Sequence, residues 1–344
     1  MSPVPPPVRR LRGHLVCRQP SPAELQQRTP IVVTARDQEI LAAIYQQGLL
    51  TTDLVEWAFF GPPRAQHRPS TRSYERLRQL WLWQYTERIE LPVARIAGGR
   101  RPFLYALGAR GVPLVAAYSG EHAQAVQRRR LDRLNALFID YDLRAAALWA
   151  NVQALTRSCP IRRFAWTPER ELRARRIRVR DPQTRRWLPF LPDAYFEIEY
   201  RGGDVQCCLV EIDMGTQALR YVRRKLRAFE LALAQGLFAR HWRRPEFEGL
   251  ILTPSPARLE HVWEAARQEV AEERWPWYAL TTFAGLDPSA FGREIWRTLE
   301  DERVGLLYAQ ALPSEPSPGG QAAGAASHSA TRSLVPGGRG GPAR

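Results

Sequence analysis

Apolar residues recur along this chain with two different periods. Over residues 36–47, Ile40, Leu41, Ile44 and Tyr45 share one helical face, and Gly48 ends the run. A second, shorter helix is predicted from a Thr52 cap through Leu54, Val55, Ala58 and Phe59, stopped by Gly61, Pro62 and Pro63. A third, capped by Ser70 or Thr71, sets Tyr74, Leu77, Leu80 and Trp81 on one side. Two short strands are expected near residues 88–91 and 103–107, with Gly98, Gly99, Arg100 and Arg101 at the tip between them. Gly111 then leads a short apolar segment, residues 112–117.

A long helix is predicted over residues 130–154, with Leu134, Leu137, Phe138, Tyr141 and Leu148 among its apolar positions. Strand patterns follow at residues 177–179, 194–200 and 206–212, with Gly202 and Gly203 turning the second into the third. A helix over 217–235, a buried strand at 250–253, a helix near 257–271, a strand at 277–282 and a helix near 288–299 complete the pattern.

The first order, helix–helix–helix–strand–wing–strand, is that of a winged helix-turn-helix, expected over residues 31–120. The second, helix–three strands–helix–strand, is an αβββαβ core, expected over residues 130–305. The whole reads as a two-domain α+β or α/β protein. Residues 1–30 are Pro- and Arg-rich and read as a disordered basic arm; residues 312–344 have too little to bury and read as a disordered Pro/Gly/Ser tail.

Charge sharpens this picture. The formal net charge is +15, which suits a polyanionic partner, nucleic acid before membrane, although a solvated basic surface would have the same balance. Neither an apolar leader nor a membrane-length apolar run is visible, so a cytoplasmic location without membrane contact is expected. Cys17, Cys159, Cys207 and Cys208 show neither disulfide nor zinc-ligand spacing and read as small apolar fillers.

Arg72, Arg76 and Gln79 fall at i, i+4 and i+7 on the third helix, away from its apolar side. There they are candidates for base edges and phosphates in a major groove, and Arg95, Arg100 and Arg101 on the wing are candidates for adjacent phosphates. The partner these residues imply is double-stranded DNA; a solvated helix face of a protein-interaction module is the bland alternative. Winged-helix proteins often pair, so a homodimer stays open, although no heptad seam is visible.

The segment 191–216 carries the most chemistry. Asp193 opens one strand of a predicted hairpin, and Glu211 and Asp213, two apart, end the other on a shared face. Three carboxylates at one sheet end repel unless a cation lies between them, and hard Mg²⁺ or Mn²⁺ takes such oxygen ligands. Three ordinary strand-end acids are the alternative. Of 50 basic residues only Lys225 is a lysine; it shares its helix face with Tyr221, Phe229 and Ala232, while Arg220, Arg223, Arg224 and Arg227 take the polar side. A lone inward ammonium serves either as a salt bridge or as a catalytic group that a guanidinium replaces poorly. Eleven arginines over residues 157–186, against Glu169, Glu171 and Asp181, form either a surface that tracks a nucleic-acid backbone or a solvated face.

With these segments in place, the chain resembles the replication-relaxation family of plasmid and mobile-element proteins over residues 33–265. The likeness is carried by TARDQEILAAIYQQGLLTTDLVEWAFF, RPFLYALGARG, PDAYFEIEY, LVEIDMGTQALRYVRRKLRAF and LILTPSPARL. The carboxylate core is also similar to the PD-(D/E)XK nucleases, in which an Asp and a Glu bind metal and a Lys two residues after the Glu assists. Pro192, Asp193 and Glu211 match; Asp213 stands at the lysine position, and migration of the lysine to the next helix would make Lys225 its substitute. Glu169, Glu171, Asp140 or Asp142 would be the further upstream acid.

These resemblances imply a Mg²⁺- or Mn²⁺-dependent DNA endonuclease or nickase. Asp193 and Glu211 would be metal ligands, with Asp213 a third ligand or a positioning group and Lys225 assisting. The runner-up is a non-enzymatic replication or transcription regulator with a degenerate nuclease fold. A tyrosine relaxase is a weaker third reading, since the six histidines are scattered through the sequence.

Overall fold

The computed structural model of the chain describes residues 8–10, 16–26, 28–61, 71–90, 103–129, 131, 134, 136–157, 159–287 and 293–306. It is a mixed α and β structure that divides into two compact units, Met1–Ala154 and Leu155–Arg344. Among the described residues no helix is long and apolar enough to cross a membrane.

The first unit runs β1 (Val8–Arg10), β2 (Val16–Arg18), α1 (Pro22–Gln26), α2 (Ala35–Gln47), β3 (Leu50–Thr51), α3 (Thr52–Val55), α4 (Thr71–Leu82), β4 (Thr86–Glu90), β5 (Leu104–Leu107), α5 (Val112–Ser119) and α6 (Ala136–Leu155). Its strands form one antiparallel sheet in the order β1-β2-β4-β5-β3. α2 begins with a closed capping box: the Asp37 N–H donates to the Thr34 hydroxyl, and the Thr34 N–H donates to the Asp37 carboxylate. Thr34→Ala is expected to cost this unit about 1 kcal/mol, read as a lower urea midpoint; an unchanged midpoint would make the box dispensable.

Three expectations change in this unit. The stretch expected as a disordered arm contributes β2, which pairs with β4 through Cys17↔Ile89 and leaves Cys17 1% exposed. Three residues are too few to show a period, so its packing was invisible in the pattern. Tyr74 faces outward at 38% exposure, and Ser73 takes its place in the interior beside Leu77, Leu80 and Trp81. The helix expected to open the second domain, α6, falls in the first unit, where its Ile139 joins Leu131, Leu134, Leu49 and Ile89 in one core. The wing tip and the tail at 312–344 lie outside the described residues.

The second unit runs β6 (Ile161–Pro168), α7 (Glu169–Arg175), β7 (Arg178–Arg180), β8 (Trp187–Pro189), β9 (Ala194–Tyr200), β10 (Val205–Ile212), α8 (Leu219–Ala234), α9 (Leu237–Trp242), β11 (Glu248–Thr253), α10 (Pro256–Glu269), β12 (Tyr278–Thr282), β13 (Trp296–Thr298) and β14 (Arg303–Val304). Seven strands form one sheet in the order β14-β13-β12-β11-β10-β9-β6. β10, β11 and β12 are parallel, and the remaining pairings are antiparallel.

β10 and β11 are near-continuous apolar runs, as central strands covered on both faces require. On one face Val222, Leu226 and Phe229 of α8 and Val262 and Ala266 of α10 pack with Leu209, Ile251 and Leu280. At Gly249 a Cβ would come within 2.2 Å of the Tyr278 ring, so this close approach of β11 and β12 requires glycine.

Here too the pattern is corrected. The strand expected at 177–179 exists as β7, but it pairs with β8 in a separate two-stranded ribbon. Its expected place in the sheet belongs to β6, in the arginine-rich stretch. The helix expected near 288–299 is instead β13 over its later residues, paired antiparallel with β12; residues 288–292 lie outside the described residues.

Candidate functional site

The site is built at the end of the β9–β10 hairpin. The last pair of that ladder is Val210↔Ala194, and the Asp193 N–H continues it by donating to the Val210 carbonyl at 2.8 Å. Asp193 and Glu211 therefore lie side by side across the two strands, and Glu211 is flanked on β11 by Ile251. The Ile212 N–H donates to Asp193 Oδ2 at 2.7 Å, which fixes that carboxylate.

Lys225 reaches in from α8. Its ammonium donates to Asp193 Oδ1 at 2.9 Å and to Glu211 Oε2 at 2.6 Å. The two carboxylate side chains are 6% and 7% exposed and that of the lysine 31%. An ammonium has three donors, so one N–H is directed at neither carboxylate.

Burial and the neighbouring Asp193 push the Glu211 carboxyl up to about 8, against the pull of Lys225. Burial alone would lower the Lys225 ammonium; the two carboxylates outweigh it and hold the amine above its usual range. The ammonium thus keeps its charge at neutral pH, and Glu211 releases its proton to solvent near pH 8, or at lower pH where a bound cation displaces it.

Asp213 is the main departure. It lies one residue beyond the end of β10, with its N–H donating to the Leu252 carbonyl. Arg258, at the start of α10, holds both its oxygens, Nε to Oδ2 at 2.5 Å and Nη2 to Oδ1 at 3.2 Å. Gly215, at φ 72°, turns the chain and donates its N–H to Asp213 Oδ1. Asp213 is thus occupied by a bidentate arginine rather than joining the other two acids.

The suggested upstream acids are engaged elsewhere. Glu169 pairs with Arg173 and Glu171 with Arg170; Asp140 and Asp142, on α6, pair with Arg144 and Arg129. Among the described residues no group of three or more His, Cys, Asp or Glu side chains is arranged to hold a metal ion. Two carboxylates remain. Mg²⁺ is commonly held by one or two carboxylates, with water and substrate phosphate completing its shell. The Asp193–Glu211 pair, already drawn together around a cationic nitrogen, fits that donor chemistry.

On α4, Arg72 is exposed, as a DNA-facing side chain requires. Arg76 is not free for that role: it forms an ion pair with the buried Asp37, donates to the Val32 carbonyl at 2.7 Å, and gives Gln79 Oε1 a hydrogen bond at 3.1 Å. Burial raises the Asp37 carboxyl, but Arg76 and the Thr34 hydrogen bonds outweigh it and hold Asp37 below its usual range. Arg76 and Gln79 are therefore tied to the α2–α4 packing. Arg95, Arg100 and Arg101 lie outside the described residues.

Arg258 was missed from sequence. Its signal was available in LTPSPARL: a Ser255 cap and Pro256 start a helix directly after β11, at the carboxyl end of parallel strands where β10 also ends.

No curated protein and no solved structure matches the chain. A family profile described as replication-relaxation matches residues 41–242, more than half of the sequence, from α2 through the β9–β10 hairpin and Lys225 to the end of α9. The chain belongs to the replication-relaxation family.

Proposed function

We propose that this chain is a DNA-binding protein of a plasmid or mobile element, with a Mg²⁺- or Mn²⁺-dependent endonuclease or nicking centre in its second unit. One observation carries the reading: the chain's only lysine reaches from α8 to join two buried acids that end β9 and β10. The β6–β9–β10 meander, the α8 crossover and parallel β11 support a PD-(D/E)XK-like core around them. In the first unit, α2, α3 and α4 followed by the β4–β5 pair, with β3 joined to β5, support a winged helix gripping double-stranded DNA. Arg72 is its proposed groove contact, with Arg95, Arg100 and Arg101 as proposed wing contacts.

Asp193 and Glu211 would hold the metal. When bound, the ion supplies Lewis-acid activation of water and neutralises charge on the phosphodiester. Lys225 holds both acids in register through two of its protons, and its third donor is left to steady the attacking water or the phosphoryl oxygens. The Ile212 N–H keeps Asp193 from rotating out of the pair.

Supercoiled plasmid in Mg²⁺ should be converted to nicked or linear form by the native chain. Glu211→Gln should slow that conversion by about a hundredfold, the order of loss when a group stabilising developing charge is removed, with duplex affinity unchanged. Equal conversion by both proteins would overturn the endonuclease reading. A second reading, a non-enzymatic regulator with a degenerate core, is favoured by the engagement of Asp213 with Arg258. It expects no conversion by either protein.

A further inference from the structure

The β7–β8 ribbon stands apart from the main sheet, and its two faces differ sharply. Along its first strand and just past its ends Ile177, Val179 and Asp181 are buried, whereas Arg178 and Arg180 between them are exposed. On the second strand Leu188 and Phe190 are buried, and Trp187 is 61% exposed. The inner face joins the core under α8. The outer face presents two arginines and an indole, with no carboxylate in the alternation. Cross-strand pairing sets Arg180 directly opposite Trp187.

Trp187 is unlike the other tryptophans of this unit. Arg175 covers Trp242, Arg267 covers Trp263 and Trp275, and Arg274 lies over Trp277. Trp166 stacks on Phe196, and Trp296 is fully buried. Among the described residues no guanidinium lies over the Trp187 ring and no hydrogen bond ties its Nε1, although an arginine sits across the ladder. Four of the other six tryptophans of this unit lie under an arginine and the remaining two are buried, whereas Trp187 has neither cover.

We infer that the outer face of the β7–β8 ribbon binds single-stranded DNA, with Trp187 stacking on an unpaired base and Arg178 and Arg180 following its phosphates. Residues two apart on a strand repeat every ~6.6 Å, comparable to one step of an extended nucleotide chain. Base–aromatic stacking together with a basic track is how single strands are held without sequence preference. A duplex keeps its base faces stacked on each other, so an isolated indole gains little from it. The inference goes beyond the endonuclease reading and needs neither metal nor cleavage.

The test uses the full chain in EDTA, with a fluorescein-labelled oligo-dT and a hairpin duplex of equal length, read by anisotropy over a salt series. Trp187→Ala should weaken oligo-dT binding by about tenfold or more, leave the duplex affinity unchanged and leave the salt slope intact. Trp187→Phe should recover most of the loss. Arg178→Ala with Arg180→Ala should instead flatten the oligo-dT salt slope by about 1.4, at roughly 0.7 per phosphate on single strands. Because the Trp187 side chain is exposed, its urea midpoint should not move. Unchanged oligo-dT affinity in Trp187→Ala, or an equal loss on oligo-dT and duplex, would overturn the inference. Absence of oligo-dT binding by the native chain would do the same, whereas failure of the endonuclease reading appears only in the plasmid assay.

Discussion

Lys225→Met is expected to cost the second unit about 3–5 kcal/mol at pH 8 in EDTA, the usual penalty for removing one partner of a buried ion pair. Methionine keeps the length of the stem, so the loss isolates the charge. Without the ammonium, two acids that are 6% and 7% exposed face each other with no counter-ion. The pH dependence identifies the cause. Glu211 is raised from its ordinary 4.5 to about 8, so the folded chain binds more protons than the unfolded one between those values. Its contribution is complete below pH 4.5 and lost as pH rises through about 8. Lys225 is raised as well; its contribution persists below the ordinary 10.5 and stays constant from pH 5 to 8. The native chain should therefore lose stability from pH 5 to 8 through this acid, and Lys225→Met should lose it more steeply. At pH 5, where Glu211 holds its proton, the variant's deficit should shrink by more than half. Urea titrations at both pH values measure it. An equal deficit at both would assign the effect to packing of the stem.

Arg258→Leu is the second large effect, again about 3–5 kcal/mol at neutral pH. Arg258 donates to both oxygens of Asp213 and, at 2.7 Å, to the Gln217 carbonyl, so it fastens the loop after β10 to the start of α10. The Asp213 side chain is 3% exposed and would keep only the Gly215 N–H. Mg²⁺ titration separates structure from ligation. If Asp213 is a structural acid, the variant binds Mg²⁺ no more tightly than the native chain; tighter binding would return Asp213 to the metal-holding group.

Much of this was legible in the sequence, for reasons that also mark where legibility ends. β9, β10, α8 and β11 are long, have clear periods and are punctuated by Gly202 and Gly203, so their order and the meeting of Asp193, Glu211 and Lys225 could be read in advance. Asp213 was placed with Glu211 by strand alternation, but that rule lapses where the strand does, at Ile212. β6 was overlooked because an irregularity between Ile161 and Arg163 breaks its period, and its arginines read as surface. Arg76 was assigned outward because helical angle says which side a residue takes, not whether a buried acid on another helix waits there. Asp37 looked like a first-turn acid of α2, and its second role emerges only when α2 and α4 are packed.

The scarcity of lysine has a practical corollary. Within these 344 residues every other side-chain cation of this class is a guanidinium, so Lys225 is the single primary amine carried by a side chain. Acylating reagents that spare arginine would mark one interior position, and its rate of modification would serve as a local gauge of how tightly the acids grip that nitrogen.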